Sequence, residues 1–117
     1  MLMFYATTVS TYCAKVRIAL DVKGVDYETV PPPGGHGAAE YKKLVPMGTI
    51  PAIQDGVFVL SESDTLIEYL EDRYPEPSLL PGSAEARARQ RFLSRFHDLW
   101  LEPLLRHTFV HGGPARL

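Results

Sequence analysis

The sequence has one cysteine, no long apolar run and no excess of charge of either sign. A single cysteine excludes an internal disulfide and fits a reducing compartment. No stretch approaches the ~20 apolar residues of a membrane-spanning helix, and the N-terminus lacks the basic and apolar segments of a signal peptide. A net charge of −2 over 117 residues supplies no field that would attract nucleic acid or an anionic membrane surface. We therefore expect a cytoplasmic protein with neither kind of partner.

The N-terminal third has the pattern of a strand, a helix and a second strand. The apolar run Leu2–Tyr5 predicts a buried strand, and a broad apolar face over Thr11–Lys23 predicts a helix that Gly24 ends. Residues 26–30 alternate and then run into three prolines, which predicts a second strand with an abrupt exit. A helix between two strands implies parallel pairing through a right-handed crossover.

The following residues predict an antiparallel half. Residues 31–48 are rich in turn formers, with room for one short helix over 38–44. Residues 51–60 predict a hairpin with Asp55-Gly56 as its two-residue turn. A helical stripe over 66–74, preceded by capping residues at 61–64, stops before Pro75. The order predicts an α/β domain of thioredoxin-like plan, βαβ-α-ββα, in which a mixed sheet carries helices on both faces.

The C-terminal third predicts one amphipathic helix. We assign residues 1–78 to the thioredoxin-like domain, 79–83 to a linker, and 84–117 to the start of an all-α second domain. The helix is predicted over 84–106, and its apolar stripe needs a partner layer to form a domain. The sequence therefore predicts a second domain that is cut short after its first helix.

Two motifs connect this plan to a known family. Gly48–Ala52 (GTIPA) and Ser61–Leu70 (SESDTLIEYL) resemble the N-terminal domain of cytosolic glutathione S-transferases. Val16–Leu20 (VRIAL) and Asp26–Pro31 (DYETVP) resemble the serine-type zeta class most, with the tau class second. The resemblance implies glutathione as co-substrate, no metal, and conjugation or cis–trans isomerisation of a small electrophile. It also implies a homodimer.

The resemblance also assigns site residues by position. Ser10 matches the catalytic serine, and the pair Glu62-Ser63 matches the pair that binds the γ-glutamyl end of glutathione. Pro51 matches a cis proline whose preceding residue, Ile50, pairs with the cysteinyl backbone of the peptide. Thr49 is a further candidate contact. For Glu62-Ser63 the alternative is simple helix capping, because both residue types are favoured at helix starts.

Ser10 would act as a hydrogen-bond donor to a thiolate and not as a nucleophile. A cysteine thiol has a pKa of ~8.5, and lowering it by ~2 units needs ~2.7 kcal/mol. A hydrogen bond to an anion supplies ~1.5–3 kcal/mol and a helix N-terminus adds ~0.3–1 kcal/mol. These contributions together are sufficient. The alternative is that Ser10 only caps the first helix, and the two roles can coexist.

Cys13 is the basis of the rival interpretations. It follows Ser10 by three residues, the spacing of a redox pair whose first position is here a hydroxyl. Thiol–disulfide exchange or glutathionyl transfer through Cys13 requires an accessible thiol. Free cysteines are more often buried, so we expect the Cys13 side chain to pack in the core. A third interpretation is a non-catalytic interaction module of the same fold.

Several positions depart from the family pattern or are weaker candidates. Asp64 stands where a small or amide residue is common, and the glycyl end of glutathione has only His36, Lys42 and Lys43 as candidates. Tyr5 is interpreted as a core or cleft-wall tyrosine. His107 and His111 have a helical spacing but no third ligand, so we expect no metal site. The arginines at 87, 89 and 91 are interpreted as a solvated helix face.

Overall fold

A computed structural model of the chain describes residues 1–35 and 37–108, and these fall into two units that divide between Leu79 and Leu80. The first unit is built from seven elements, in chain order β1 (Leu2–Tyr5), α1 (Thr11–Val22), β2 (Tyr27–Val30), α2 (Ala39–Lys42), β3 (Ala52–Asp55), β4 (Phe58–Ser61) and α3 (Ser63–Arg73). The predictions for His36 and His111 lie outside the described residues.

The four strands form one mixed sheet in the order β2-β1-β3-β4. Strands β1 and β2 pair in parallel, whereas β1–β3 and β3–β4 pair antiparallel. The parallel pair follows from the helix between its strands, and the antiparallel pair from a tight turn. The predicted thioredoxin-like plan is therefore confirmed, with strand and helix ends shifted by one to three residues.

Alternation along the strands places two apolar clusters on opposite faces of the sheet. The larger cluster lies under α1 and α3, and the smaller one lies under α2. On β1, for example, Phe4 belongs to the larger cluster and Tyr5 to the smaller one. The fully buried residues of the larger cluster include Cys13, Val16, Leu20, Ile53, Leu66 and Leu70.

The predicted hairpin turn was wrong by one residue. Asp55 pairs with Phe58, so the two loop residues are Gly56 and Val57. Gly56 has φ +65 at the first central position, which is the requirement of a type II′ turn. Asp55 stays in the strand, where its carboxylate accepts a hydrogen bond of 2.8 Å from the Tyr69 hydroxyl of α3.

The second unit is helical over its described residues. It contains α4 (Ala84–Phe96), a π-helical segment (His97–Leu101) and α5 (Glu102–His107). The single predicted helix is thus interrupted by a wider turn directly before Pro103, which has no N–H to donate to the carbonyl four residues earlier. Its large apolar side chains are exposed: Phe92, Leu93, Phe96, Leu99, Trp100, Leu101, Leu104 and Leu105.

Candidate functional site

The register of the sheet brings four strand ends into one row. Tyr5 pairs with Val30 on one side and with Ala52 on the other, and Ala52 pairs with Ser61. Tyr5, Val30 and Ser61 are the last residues of their strands, while Ala52 is the first of an antiparallel strand. The connections that leave these ends therefore start from the same edge of the sheet.

Three of these connections carry the predicted site residues. Residues 6–10 lead from β1 to Ser10, residues 48–51 lead into β3, and Glu62 joins β4 to α3. The structure therefore places Ser10, the pair Ile50-Pro51 and the pair Glu62-Ser63 around one edge of the sheet. The N-termini of α1 and α3 lie at this edge, and both helices pack on the same face of the sheet.

Ser10 is the N-cap residue of α1. Its backbone is extended (φ −87, ψ 126), and its Oγ accepts a hydrogen bond of 3.2 Å from the N–H of Cys13. The capping interpretation is therefore confirmed. Because Oγ acts as an acceptor in this bond, its O–H can still donate to a second group. The cap thus holds the hydroxyl at the N-terminus of α1, beside the positive end of the helix dipole.

Cys13 lies one turn further along α1, inside the core. Its side chain is 0% exposed and belongs to the larger apolar cluster, where it is a free thiol. The packing prediction is confirmed. An attacking thiol must reach the disulfide or electrophile that it reacts with, and this sulfur is closed off from solvent.

The connection before β3 is held in one backbone path. Gly48 has φ +68, a left-handed conformation that favours glycine. The Tyr41 hydroxyl donates a hydrogen bond of 2.7 Å to the carbonyl oxygen of Thr49. The Ile50–Pro51 peptide bond is cis, as predicted.

A polar group in this connection has no partner within the described part of the chain. The Thr49 Oγ1 atom is buried and makes no hydrogen bond there. Buried polar atoms are almost always paired in folded proteins, so an unpaired one beside a predicted ligand contact is informative. Ile50 is half-buried between the two apolar clusters and directly follows this threonine.

Tyr41 makes the free energy of unfolding depend on pH in the alkaline range. Burial, with smaller contributions from Cys13 and Tyr5, raises the pKa of Tyr41 to about 12. An unfolded tyrosine ionises near pH 10, so between pH 10 and about 12 the unfolded state loses its proton first. We expect the free energy of unfolding to fall through this window by roughly 2–3 kcal/mol because of this residue.

Tyr41→Phe tests this expectation in urea titrations at a series of alkaline pH values. The variant should lose about 1 kcal/mol at neutral pH, because the bond to Thr49 is gone. Above pH 10 its free energy of unfolding should fall less steeply than that of the native chain. An equal slope for the two proteins would contradict the assignment.

Glu62 and Ser63 open α3 in an unusual way. Glu62 is the N-cap residue, with φ +79 and ψ 116, and it is the one non-glycine residue with a positive φ in the described ranges. Its side chain makes no capping hydrogen bond and is exposed. Ser63 is buried at the first helical position. The interpretation of Glu62 as a side-chain cap is therefore wrong. Its positive φ is a strained conformation, and strain of this kind concentrates at functional sites.

An ion pair between α1 and α3 lies close to these residues. The Lys15 Nζ atom is 3.0 Å from Oδ1 of Asp64, and the two side chains are 19% and 23% exposed. Sequence reasoning noted Asp64 as a departure from the family pattern but did not connect it with Lys15. No sequence signal links residues on two different helices, because their contact depends on how the helices pack.

A second pair joins the far ends of the same helices. Lys23, 0% exposed at its side chain, lies 2.8 Å from Oε1 of Glu71 and donates to the carbonyl oxygens of Tyr74 (2.6 Å) and Pro77 (2.8 Å). Glu71 also accepts from the N–H of Leu79 at 2.8 Å. This network could not be predicted from the sequence, because a lysine at a helix end is normally exposed to solvent.

The other sequence candidates include Tyr5, Lys42 and Lys43. The buried Tyr5 donates its hydroxyl to Oε1 of Gln54 at 2.8 Å, which confirms a core role. Lys42 and Lys43 are exposed on and after α2. Within residues 1–35 and 37–108, no group of acidic, histidine or cysteine side chains is arranged to hold a metal ion, and no helix there is long and apolar enough to cross a membrane.

Comparison with known families gives a match over the first unit. The family model described as "Glutathione S-transferase, N-terminal domain" matches residues 4–78. Glutathione S-transferase Z2 of Arabidopsis thaliana is 44% identical over 90 residues, which cover 74% of this chain and 40% of the relative. Maleylacetoacetate isomerase of Pseudomonas aeruginosa is 41% identical over 101 residues, covering 81% of this chain and 48% of the relative.

Solved structures agree with the sequence relatives. The holo structure of maleyl pyruvate isomerase, described as a bacterial glutathione S-transferase of the zeta class, matches with a TM-score of 0.81 and 33% identity. That match covers 91% of this chain and 54% of the solved one. A diazinon-metabolizing glutathione S-transferase of the silkworm Bombyx mori matches with a TM-score of 0.84 and 27% identity, covering 98% and 59%. The chain thus spans about half the length of the relatives that it matches.

Proposed function

Because the chain belongs to the glutathione S-transferase family through its N-terminal domain, we propose that it binds glutathione and activates the thiol of the peptide at Ser10. The observation that carries the proposal is the arrangement at the start of α1. Ser10 is held there as the N-cap with an O–H free to donate, while Cys13 is enclosed in the core. The reacting sulfur is then supplied by glutathione and not by the chain.

Each part of the peptide has a matching group at the sheet edge. The thiolate accepts the Ser10 hydroxyl hydrogen bond beside the N-terminus of α1. The γ-glutamyl carboxylate binds at the N-terminus of α3, where Ser63 begins the helix, and the exposed Glu62 pairs with the ammonium. The cysteinyl backbone pairs with Ile50, and the unpaired Thr49 hydroxyl supplies a further polar group.

The reaction we propose is glutathione-dependent conjugation or cis–trans isomerisation of a small electrophile. Bound glutathione supplies the nucleophilic thiolate. The chain contributes orientation and a fixed donor for the developing charge, which is electrostatic catalysis. Isomerisation is favoured by the names of two relatives, maleylacetoacetate isomerase and maleyl pyruvate isomerase. A cytoplasmic homodimer, and a helical second domain that starts near residue 84, belong to the same proposal.

Calorimetric titration with glutathione tests the proposal, followed by assays with an aryl halide and with maleyl-substituted keto acids. Cys13→Ala, which leaves every proposed contact in place, should bind glutathione as the native chain does. The thiol pKa of the peptide bound to Cys13→Ala should equal the native value, because Ser10 is unchanged. No heat of binding by the folded native chain, or loss of binding in Cys13→Ala with an intact fold, would overturn the proposal.

A further inference from the structure

The first turn of α3 carries one more negative charge than the glutathione site needs. Glu62 is the carboxylate proposed to pair with the ammonium of the ligand, and Asp64 adds a second carboxylate in the first turn of the helix. The ligand carboxylate is proposed to bind at this same helix end. Like charges at a few ångströms repel, so an unbalanced Asp64 would oppose the binding of that carboxylate.

Lys15 removes this conflict from the neighbouring helix. Its Nζ lies 3.0 Å from Oδ1 of Asp64, and the bond crosses from α1 to α3. The two side chains are 19% and 23% exposed, so the pair is partly shielded from solvent and its field is less screened than that of a surface pair. The cation thereby balances the extra carboxylate at the helix end.

We propose that Lys15 is a positioning residue of the γ-glutamyl subsite, and that it acts through Asp64. It neutralises the Asp64 carboxylate, so the N-terminus of α3 can accept the carboxylate of the ligand. This role rests on the proposed function, because it has meaning only where an anionic ligand binds at this helix end. The chain therefore accommodates an acidic residue at position 64 because Lys15 accompanies it.

A purely structural role of the pair predicts a different pattern of effects. If the ion pair only braced α1 against α3, removing either partner would weaken the site to a similar extent. If it balances charge, the two removals have opposite consequences. Lys15→Met leaves Asp64 without its Lys15 partner and adds net negative charge beside the ligand, whereas Asp64→Asn removes the repelling carboxylate itself.

The experiment is calorimetric titration of the chain with glutathione for Lys15→Met, Asp64→Asn and the double variant. We expect Lys15→Met to raise the dissociation constant for glutathione about tenfold. The partly screened repulsion between the Asp64 carboxylate and the ligand carboxylate, several ångströms apart, is large enough for this effect. Asp64→Asn should bind glutathione at least as tightly as the native chain. The double variant should return to within about twofold of the native value, and Lys15→Arg should keep the native affinity.

Two controls separate charge balance from other causes. Arg73→Met removes a positive charge at the opposite end of α3, about 14 Å along the helix from Asp64, and should leave the dissociation constant unchanged. In Lys15→Met the loss should shrink as salt is raised, because screening weakens the repulsion. Circular dichroism and urea unfolding show that each variant is folded under the conditions of the titration.

Failure of this inference is distinct from failure of the proposed function. If the native chain binds no glutathione, the proposed function is wrong and the inference falls with it. If the native chain binds glutathione and Asp64→Asn weakens binding as much as Lys15→Met, the pair is a brace and the inference alone is wrong. Equal affinity of folded Lys15→Met and the native chain would also overturn it.

Discussion

Ser10→Ala is expected to raise the pKa of the thiol of bound glutathione by about 1–2 units and to lower turnover about ten- to hundredfold at neutral pH. The variant loses one hydrogen bond to an anion, which contributes ~1.5–3 kcal/mol, or roughly one to two powers of ten. The thiol pKa is measured from the ultraviolet absorbance of the thiolate as a function of pH. The pH dependence of turnover should shift by the same amount.

Ser83→Ala is a matched control for the capping role of Ser10. Ser83 caps α4 with the same kind of hydrogen bond, accepting from the N–H of Ala86 at 3.2 Å, as Ser10 does from Cys13. Both variants should lose about 1 kcal/mol of stability through the cap, but only Ser10→Ala should change the thiol pKa. Ser10→Thr keeps the hydroxyl and should stay near the native value. An unchanged thiol pKa in folded Ser10→Ala would disprove the role.

Lys23→Met is expected to lower the free energy of unfolding by about 3–5 kcal/mol, the loss typical of breaking a buried pair on one side. Glu71 is left with a partly buried charge, and the carbonyl oxygens of Tyr74 and Pro77 lose their donor. Marginal stability of small domains makes this a large fraction of the total. Urea unfolding followed by circular dichroism measures the loss.

Lys15→Met is the matched control that tests how much burial of the lysine contributes to the loss of stability. It breaks the pair at the other end of the same two helices, but both of its side chains are partly exposed, so its loss should be about 1 kcal/mol or less. Glu71→Gln combined with Lys23→Met should cost less than the sum of the single changes, because the two share one interaction. Two results would contradict a buried pair between Lys23 and Glu71: additive losses of unfolding free energy in their double variant, or equal losses for Lys15→Met and Lys23→Met.

Helix and strand positions could be predicted because their signals are local. A short apolar run predicted β1 over Leu2–Tyr5, and α1 begins at Thr11 as predicted. The sequence could not fix the two turn residues of the hairpin, because both Asp55-Gly56 and Gly56-Val57 can form a two-residue turn between the same strands. The choice depends on which register lets Asp55 pair with Phe58 in the strand and reach Tyr69 on α3.

Ion pairs between helices had no local signal. Lys15 and Lys23 are the same residue type about two helical turns apart, yet the side chain of Lys15 is partly exposed and that of Lys23 is fully enclosed. Which of them is buried depends on the segment after α3, whose carbonyl oxygens fold back over the end of α1. Sequence periodicity describes one helix face and carries no information about what covers it.

The sequence by itself determined the element order, the capping position of Ser10 and the burial of Cys13, because each depends on short-range pattern or on residue type. Only the tertiary structure decided that the ends of β1, β3 and β4 share one sheet edge and that Lys15 faces Asp64. Tyr5 and Ala52, and likewise Lys15 and Asp64, are far apart in the sequence. The pairing of β1 with β3 joins the first two, the packing of α1 and α3 on one face of the sheet joins the other two, and no local interaction encodes either contact.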